Sequence, residues 1–371
     1  MSSTLQRNLA RLLRYAERGR QLFDLEGLRL KRDYVALRSR YYRDYWQRTA
    51  DAMGAEIDEL GGRWLRIRRG AALTYVNGFE VQIDDHVLLS IAGDKALSQR
   101  LIADIGLPVP RHLAFDLGDI EAAQRFLAQL GRPVVVKPVD GAGGRGVTTG
   151  IEDATALRRA AFAAARVGTR FLVEEQLPGD NYRFLYLAGE LIDVIRRDPP
   201  TVIGDGRHDI RTLIALENQV RLGGPPYAGL SALTCDPGVD NHLRAQGLSV
   251  KSVPTEEQRV QVKGAVNQNG ARDNHQLLAG VHGSYHALGR RVQSVLDVQL
   301  LGIDVISPDV GVSLLDSGGG INEINTTPAL HHHDLIANRE RACPVGQLAL
   351  DYIFSQRPRA PATSPKSIVN G

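Results

Sequence analysis

The sequence is poor in cysteine, in lysine and in long apolar stretches. Its two cysteines, Cys235 and Cys343, cannot build a disulfide framework or a cysteine-only zinc site. No apolar run approaches the roughly 18 residues needed to cross a bilayer, and no secretory apolar segment follows Met1. A reducing, cytoplasmic setting is expected, with neither membrane nor nucleic acid as a partner. A Gly-Lys-Ser/Thr phosphate loop is also missing. Of 45 basic residues only six are lysines: Lys31, Lys95, Lys137, Lys251, Lys263 and Lys366. A chain that otherwise prefers arginine keeps lysine where a compact point charge is useful.

What is present is ordinary for a globular protein. At 371 residues, 43% hydrophobic and 23% charged, the chain can bury a large core, which excludes disordered and fibrous classes. Charge is uneven. Residues 1–50 hold twelve Lys+Arg and five Asp+Glu, a local +7, so the rest sums to −4 within a total of +3.

The start reads as helical, with Leu5, Leu9, Leu12 and Leu13 on one stripe and arginines largely off it. A second helix is expected over about Asp33–Met53, carrying Tyr34, Leu37, Tyr41, Tyr45 and Trp46. The pair is expected to dock on the body with its arginines in water; a dimer arm and a dock for an acidic substrate are the alternatives. Short strands follow at 63–69 and 73–83, then a helix capped by Asp94 and stopped at Gly106. Strands are expected at 134–136, 171–175, 183–188, 191–196 and 300–306, with a pair at 311–315 and 320–325. Helices are expected at 153–167, 209–220 and 284–298, and the tail from residue 356 as disordered. Hairpins mixed with helices indicate α+β.

Three segments carry chemistry. Lys137-Pro-Val-Asp-Gly141-Ala-Gly143-Gly144-Arg-Gly146 follows a strand with four glycines, a backbone able to approach polyphosphate; a plain flexible hairpin is the bland alternative. Asp304 and the pair Glu323 and Asn325 offer hard oxygen ligands; Glu323 and Asn325, two apart on a strand, face one way. Glu174 and Glu175 end a strand and Asp180 follows a glycine turn. Such groups can meet a nucleobase edge and ribose hydroxyls, or be ordinary surface acids.

Together these segments resemble the ATP-grasp superfamily, from about Ile91 to Ala329. Glu323-Ile-Asn-Thr-Thr-Pro-Ala329 looks like the signature of D-alanine–D-alanine ligases and ribosomal-protein glutamate ligases. Val202-Ile-Gly-Asp-Gly-Arg-His-Asp-Ile210, Gly106-Leu-Pro-Val-Pro-Arg111, Asp180-Asn-Tyr-Arg183 and Gly302-Ile-Asp304 are more closely similar to the ATP-grasp segment of cyanophycin synthetases. The resemblance implies a fold of two α+β lobes behind a helical and short-strand N-terminal region at 1–90, with the ATP-grasp domain at 91–355. It implies a carboxylate–amine ligase that uses ATP and Mg²⁺, two ions with Mn²⁺ as substitute, on small-molecule carboxylate and amine substrates; a homodimer is one open state. Lys95 and Lys137 match phosphate-contacting lysines. Gly141, Gly143, Gly144 and Gly146 match a loop closing over phosphates. Glu174 and Glu175 match the adenine segment, and Asp180 the ribose contact. Asp304, Glu323 and Asn325 match metal ligands, with Asp309 in reserve. Arg183 and Arg196 or Arg197 match positions near the γ-phosphate or substrate carboxylate.

The chain departs from the pattern in three ways. The Gly-Lys-Ser/Thr loop of the Mur-ligase-like domain that cyanophycin synthetases also carry is not found in these 371 residues, so a whole cyanophycin synthetase is not expected. The loop after Pro254 reads Gln261-Val-Lys263-Gly-Ala-Val-Asn-Gln-Asn-Gly270, which leaves the acceptor open with Lys263 as its catalytic candidate. Ala329 replaces glycine before His331-His332-His333-Asp334, a cluster that lines a substrate entrance, faces solvent or, less in keeping, binds zinc.

Overall fold

A computed structural model describes residues 3–139 and 144–356. Two long helices open the chain, α1 (Ser3–Phe23) and α2 (Leu25–Met53), divided by Asp24, whose side chain caps the second. An antiparallel sheet follows in chain order: β1 (Glu56–Gly61), β2 (Trp64–Arg69), β3 (Ala72–Asn77) and β4 (Glu80–Val81). Next come α3 (His86–Gly93) and α4 (Lys95–Asp104). Asp94 accepts from the Ala96 and Leu97 amides, the expected cap, and Gly106 takes a left-handed φ of 72°.

A second unit holds β5 (His112–Phe115), α5 (Ile120–Leu130), β6 (Val134–Pro138), β7 (Thr148–Ile151), α6 (Ala154–Ala164) and β8 (Phe171–Glu175), in the sheet order β5-β8-β6-β7. Val134, Val136, Phe171 and Val173 turn one face of this sheet onto α5 and α6. The third unit begins with the hairpin β9 (Asp180–Leu187) and β10 (Glu190–Arg197). It continues through β11 (Thr201–Ile203), α7 (Ile210–Leu222), α8 (Pro237–Ala245), β12 (Arg259–Gln261) and β13 (Asn274–Gln276). It closes with α9 (Ser284–Leu296), β14 (Leu300–Ser307), β15 (Gly320–Asn325), α10 (His331–Asp334) and α11 (Val345–Gln356). Its main sheet runs β13-β10-β9-β14-β15, and every pairing is antiparallel, so the α+β expectation stands. A smaller core gathers Val202, Ile210, Leu213, Val239, Leu243 and Val260 around α7 and α8.

The five-stranded sheet is covered on both faces. Phe184, Tyr186, Val194 and Ile303 pack with Tyr285, Leu288 and Val292 of α9. Leu185, Leu187 and Leu300 face the other way, into a core completed by Leu37, Tyr41, Tyr42 and Trp46 of α2, by β2 and β3, and by Leu350 and Ile353 of α11. Arg183, Asp304 and Glu323 lie at one end of this second face.

Three expectations need correction. Residues 311–315 form no strand: the Gly311 amide donates to Asp309 at 2.7 Å and the Asp316 amide to Ser313 at 3.3 Å, and these local bonds curl the segment into turns. The leucine stripe of α1 does not bury as a unit; Ala10 is buried while Leu5 and Leu12 are exposed. The second helix begins at Leu25, well before the tyrosine-bearing turn. The arginines of α1 do face water in part, although Arg7 is paired with Asp116 at 2.9 Å.

Candidate active site

The site grows out of strand register. In antiparallel sheets directly opposed residues share a face. Arg183 of β9 stands opposite Asp304 of β14, and Asp304 opposite Glu323 of β15. The result is a row of cation, anion, anion across three strands. Arg197, two residues beyond Ile195, which opposes Arg183, falls on the same face. Asn325 opposes Gly302 and so joins the row as well.

Contacts tie the row together. The Arg183 guanidinium grips Asp304 with both Nε and Nη2, the second at 2.9 Å, while Arg197 Nη1 lies 3.9 Å from the same carboxylate. The Asn325 amide nitrogen is 3.3 Å from Asp304 Oδ2. Lys95, the first residue of α4, reaches Glu323 Oε1 at 3.2 Å. Burial alone would raise the Asp304 carboxyl, yet Arg183 and Arg197 hold it below its ordinary value. Arg197 is less well compensated. Burial first, and then the like charge of Arg183, lower it to about 10, and its Nε is buried without a partner. A desolvated cation short of acceptors is suited to receive an anion.

The β5-β8-β6-β7 sheet contributes a second pair. Lys137 of β6 meets Glu174 of β8 at 2.6 Å, both well buried, and Glu174 Oε1 has no donor. The strand separates the two glutamates: Glu175 turns to the opposite face and pairs with Arg132 at 3.1 Å, so only Glu174 stands beside Lys137. Asp180 is exposed at the first position of β9, opposite Ser307. The turn before it needs glycine: Gly179 has φ 104°, and a Cβ there would collide with the Ser307 backbone.

Other expected residues are placed differently. Arg196 points to Asp198 at 3.0 Å, away from the row. Lys263 is buried on Asp236 at 2.7 Å and Thr234 at 3.1 Å, and among the described residues no contact links it to the strand row. Gly144 and Gly146 have left-handed φ of 66° and 74°, and a side chain at Gly144 would strike Asn267 of the loop that holds Lys263. Gly141 and Gly143 lie outside the described residues, as does the tail beyond 356.

The histidine cluster was visible in sequence without its partners. It does not face solvent: His331 and His333 are buried. His331 Nδ1 meets the Tyr42 hydroxyl at 2.7 Å, and His333 Nδ1 meets Asp193 Oδ2 at 2.7 Å. Asp193 also accepts from Gln276 at 3.0 Å. Burial is the main cause that keeps His331 and His332 neutral, well below the usual histidine range, aided by Arg38 at His331 and by Arg183 and Arg197 at both. Among the described residues no group of three or more His, Cys, Asp or Glu is arranged to hold a metal, which sets zinc aside here. The magnesium candidates are a different set, two carboxylates and an amide oxygen. That donor chemistry fits a hard divalent ion, given rotation of the Asn325 amide.

Comparison with known proteins follows this geometry. Residues 94–181 match the family model of the carbamoyl-phosphate synthase L chain, ATP binding domain. The glutathione biosynthesis bifunctional protein GshAB of Enterococcus faecalis is 31% identical over 291 residues, 76% of this chain and 38% of that protein. Cyanophycin synthetase of Crocosphaera subtropica is 29% identical over 290 residues, 76% of this chain and 32% of that protein. The chain thus spans well under half the length of these relatives. The crystal structure of a bifunctional glutathione synthetase from Pasteurella multocida superposes with a TM-score of 0.51 at 23% identity, covering 82% of this chain and 42% of that one. The chain has the ATP-grasp fold, and in sequence it is similar to the GshAB proteins and to the cyanophycin synthetases.

Proposed function

We propose that the chain is an ATP-dependent carboxylate–amine ligase for small molecules such as amino acids or their derivatives. The observation that carries this reading is the row Arg183–Asp304–Glu323, flanked by Lys95, Asn325 and the under-compensated Arg197. Such a row would offer oxygen ligands to a hard divalent cation that neutralises phosphate charge, and guanidinium groups to the anions that react.

ATP would lie between the β6–β8 sheet and the β9–β14 sheet. Lys137 and Lys95 supply point charge to the phosphates, and the unpartnered Glu174 Oε1 is an acceptor suited to the exocyclic amine of adenine. Asp304, Glu323 and Asn325 would hold magnesium, which when bound supplies charge neutralisation for the phosphoryl group. Two ions, with manganese as substitute, belong to the same proposal. Arg197 binds the substrate carboxylate; Arg183 fixes Asp304. One carboxylate oxygen attacks the γ-phosphorus, the bridging P–O bond breaks, and ADP leaves. The amine nitrogen then attacks the acyl carbon, the C–O bond to phosphate breaks, and a proton departs from nitrogen. Both steps depend on positioning and charge rather than on a protein nucleophile. The Gly144–Gly146 turn, seated on the Asn267 loop, is suited to exclude water from the acyl phosphate. We keep the cytoplasmic setting and small-molecule partners as part of this proposal.

The test is an ADP-release screen of amino acids and amino-acid carboxylates in pairs, with mass measurement of the product. A ligase releases ADP and phosphate only with both partners and yields an amide; transfer to a hydroxyl with one partner alone would favour a kinase. Glu323→Ala should abolish product while leaving the far-ultraviolet spectrum unchanged, and Lys137→Ala should weaken ATP binding. Undiminished turnover in Glu323→Ala defeats the metal assignment, and absence of nucleotide binding in the native chain would leave a scaffold.

A further inference from the structure

An open groove lies apart from the strand row, between α2 and the N-terminal sheet, with a cavity volume of about 110 Å³. Tyr34, Arg38 and Tyr42 of α2 form one wall; Arg63, Leu65 and Phe79 from the β1–β4 sheet form the other. Its chemistry is mixed by design of position: ring faces and a leucine make the walls, and guanidinium groups interrupt them.

Arg38 is the informative residue. Its guanidinium carbon sits over the Phe79 ring, 4.8 Å from the centroid. Its charge is felt by the Tyr34 and Tyr42 hydroxyls. Burial raises both phenols above their ordinary value, so each stays neutral and neither cancels the charge. Three arginines of this region are paired with carboxylates: Arg43 with Glu59 at 2.9 Å, Arg66 with Asp58 at 2.8 Å, Arg69 with Asp351 at 2.6 Å. Among the described residues Arg38 and Arg63 have no carboxylate within salt-bridge distance. The groove therefore presents a planar cation, seated over Phe79, among aromatic side chains. A carboxylate matches that fork bidentately, and a flat apolar body matches the rings.

We infer that this groove binds a small carboxylate with a flat apolar body, held by Arg38 and Arg63 and sandwiched by Phe79 and the α2 tyrosines. The site adjoins the proposed catalytic face through one residue. Tyr42 is a groove wall whose hydroxyl meets His331 Nδ1 at 2.7 Å, and His331 belongs to the turn that lies within the field of Arg183 and Arg197. The occupant is either one of the ligase substrates or a separate effector; both sources share the same recognition chemistry.

The test is a titration of the full chain, without nucleotide, with phenylacetate and with its uncharged isostere phenylacetamide, followed by calorimetry and by histidine NMR. The acid should bind about tenfold or more tighter than the amide, the worth of one charged hydrogen-bonded contact. Arg38→Gln should erase that preference, and Arg63→Gln should reduce it, each with an unchanged far-ultraviolet spectrum. The His331 signal should shift on binding. Equal binding of acid and amide, no binding of either, an Arg38→Gln protein that keeps the preference, or a bound probe that leaves His331 unshifted each overturns the site. If Arg38→Gln fails to fold, Arg63→Gln and the acid–amide comparison on the native chain decide the matter. Adding ATP with phenylacetate afterwards distinguishes the sources: ADP release that requires phenylacetate marks a substrate, and altered release with other pairs an effector. Because the titration needs no nucleotide, it stands or falls separately from the ligase proposal.

Discussion

Asp304 is the counter-charge of two buried arginines. Asp304→Asn would leave Arg183 and Arg197 without an anion in a desolvated setting, and we expect a loss of about 3–5 kcal/mol in urea unfolding. A loss no larger than that of an ordinary surface change would mean the row is not held by charge. The neutral histidines give a pH signature. His331 and His332 refuse a proton in the fold that they accept when unfolded. Unfolding thus takes up protons below the unfolded histidine pKa of about 6.5, and stability should fall as pH drops from that point toward the lower folded values. Asp304 adds a second loss only further down, as pH falls below the ordinary aspartate range of about 3.9. Denaturation midpoints from about pH 8 down to about pH 5 check this; a flat profile would contradict the burial of the histidines. The candidate residue types were legible in the sequence because lysines are scarce and the Glu-x-Asn signature is compact. Their partners were not. Arg183 and Asp304 are 121 positions apart, and only cross-strand register brings them together. The Glu174–Glu175 pair shows the converse: adjacency in a strand puts neighbours on opposite faces.

Elements were legible where local chemistry acts alone. The Asp94 cap, the Gly106 stop and the hairpin at Ala188-Gly189 are all short-range signals, and each element formed as expected. β1 escaped notice because nearly all of its residues are exposed and carry no apolar alternation. The segment at 311–315 misled for the opposite reason: its valine and leucines look strand-like, but Asp309 and Ser313 capture the backbone amides first. One turn is strict. At Gly179 any side chain meets both a left-handed φ of 104° and the Ser307 backbone. Gly179→Ala should cost more than about 1 kcal/mol and lower the melting temperature measurably. It should also disturb the end of β14 that opposes Asp180; a neutral result would mean the turn can move freely.

On the scale of the molecule, two different sheets each carry a polar cluster, Lys137–Glu174 on one and the Arg183 row on the other. A nucleotide that bridges them binds only the folded arrangement. A non-hydrolysable ATP analogue with magnesium, at about a hundred times its Kd, should stabilise the fold by about 2.7 kcal/mol. Asn325→Ala should reduce that gain; an unchanged melting curve with saturating analogue would count against nucleotide binding between the sheets. What the sequence left blank was the role of residues 1–90, since nothing local reveals which distant strand a helix will cover.

That helix, α2, now has several attachments at once. Trp46 donates to the Gly78 carbonyl, Tyr41 to Asp334, Tyr42 meets His331, and Tyr227 reaches Asp44. Its tyrosines and tryptophan complete the same apolar interior as Leu185, Leu187 and Leu300 of the five-stranded sheet. A recombinant fragment that started at Ile91 would leave those leucines wet and the histidine turn without its bracket. Anyone wishing to graft the body from Ile91 onward onto another protein would have to carry the first ninety residues along.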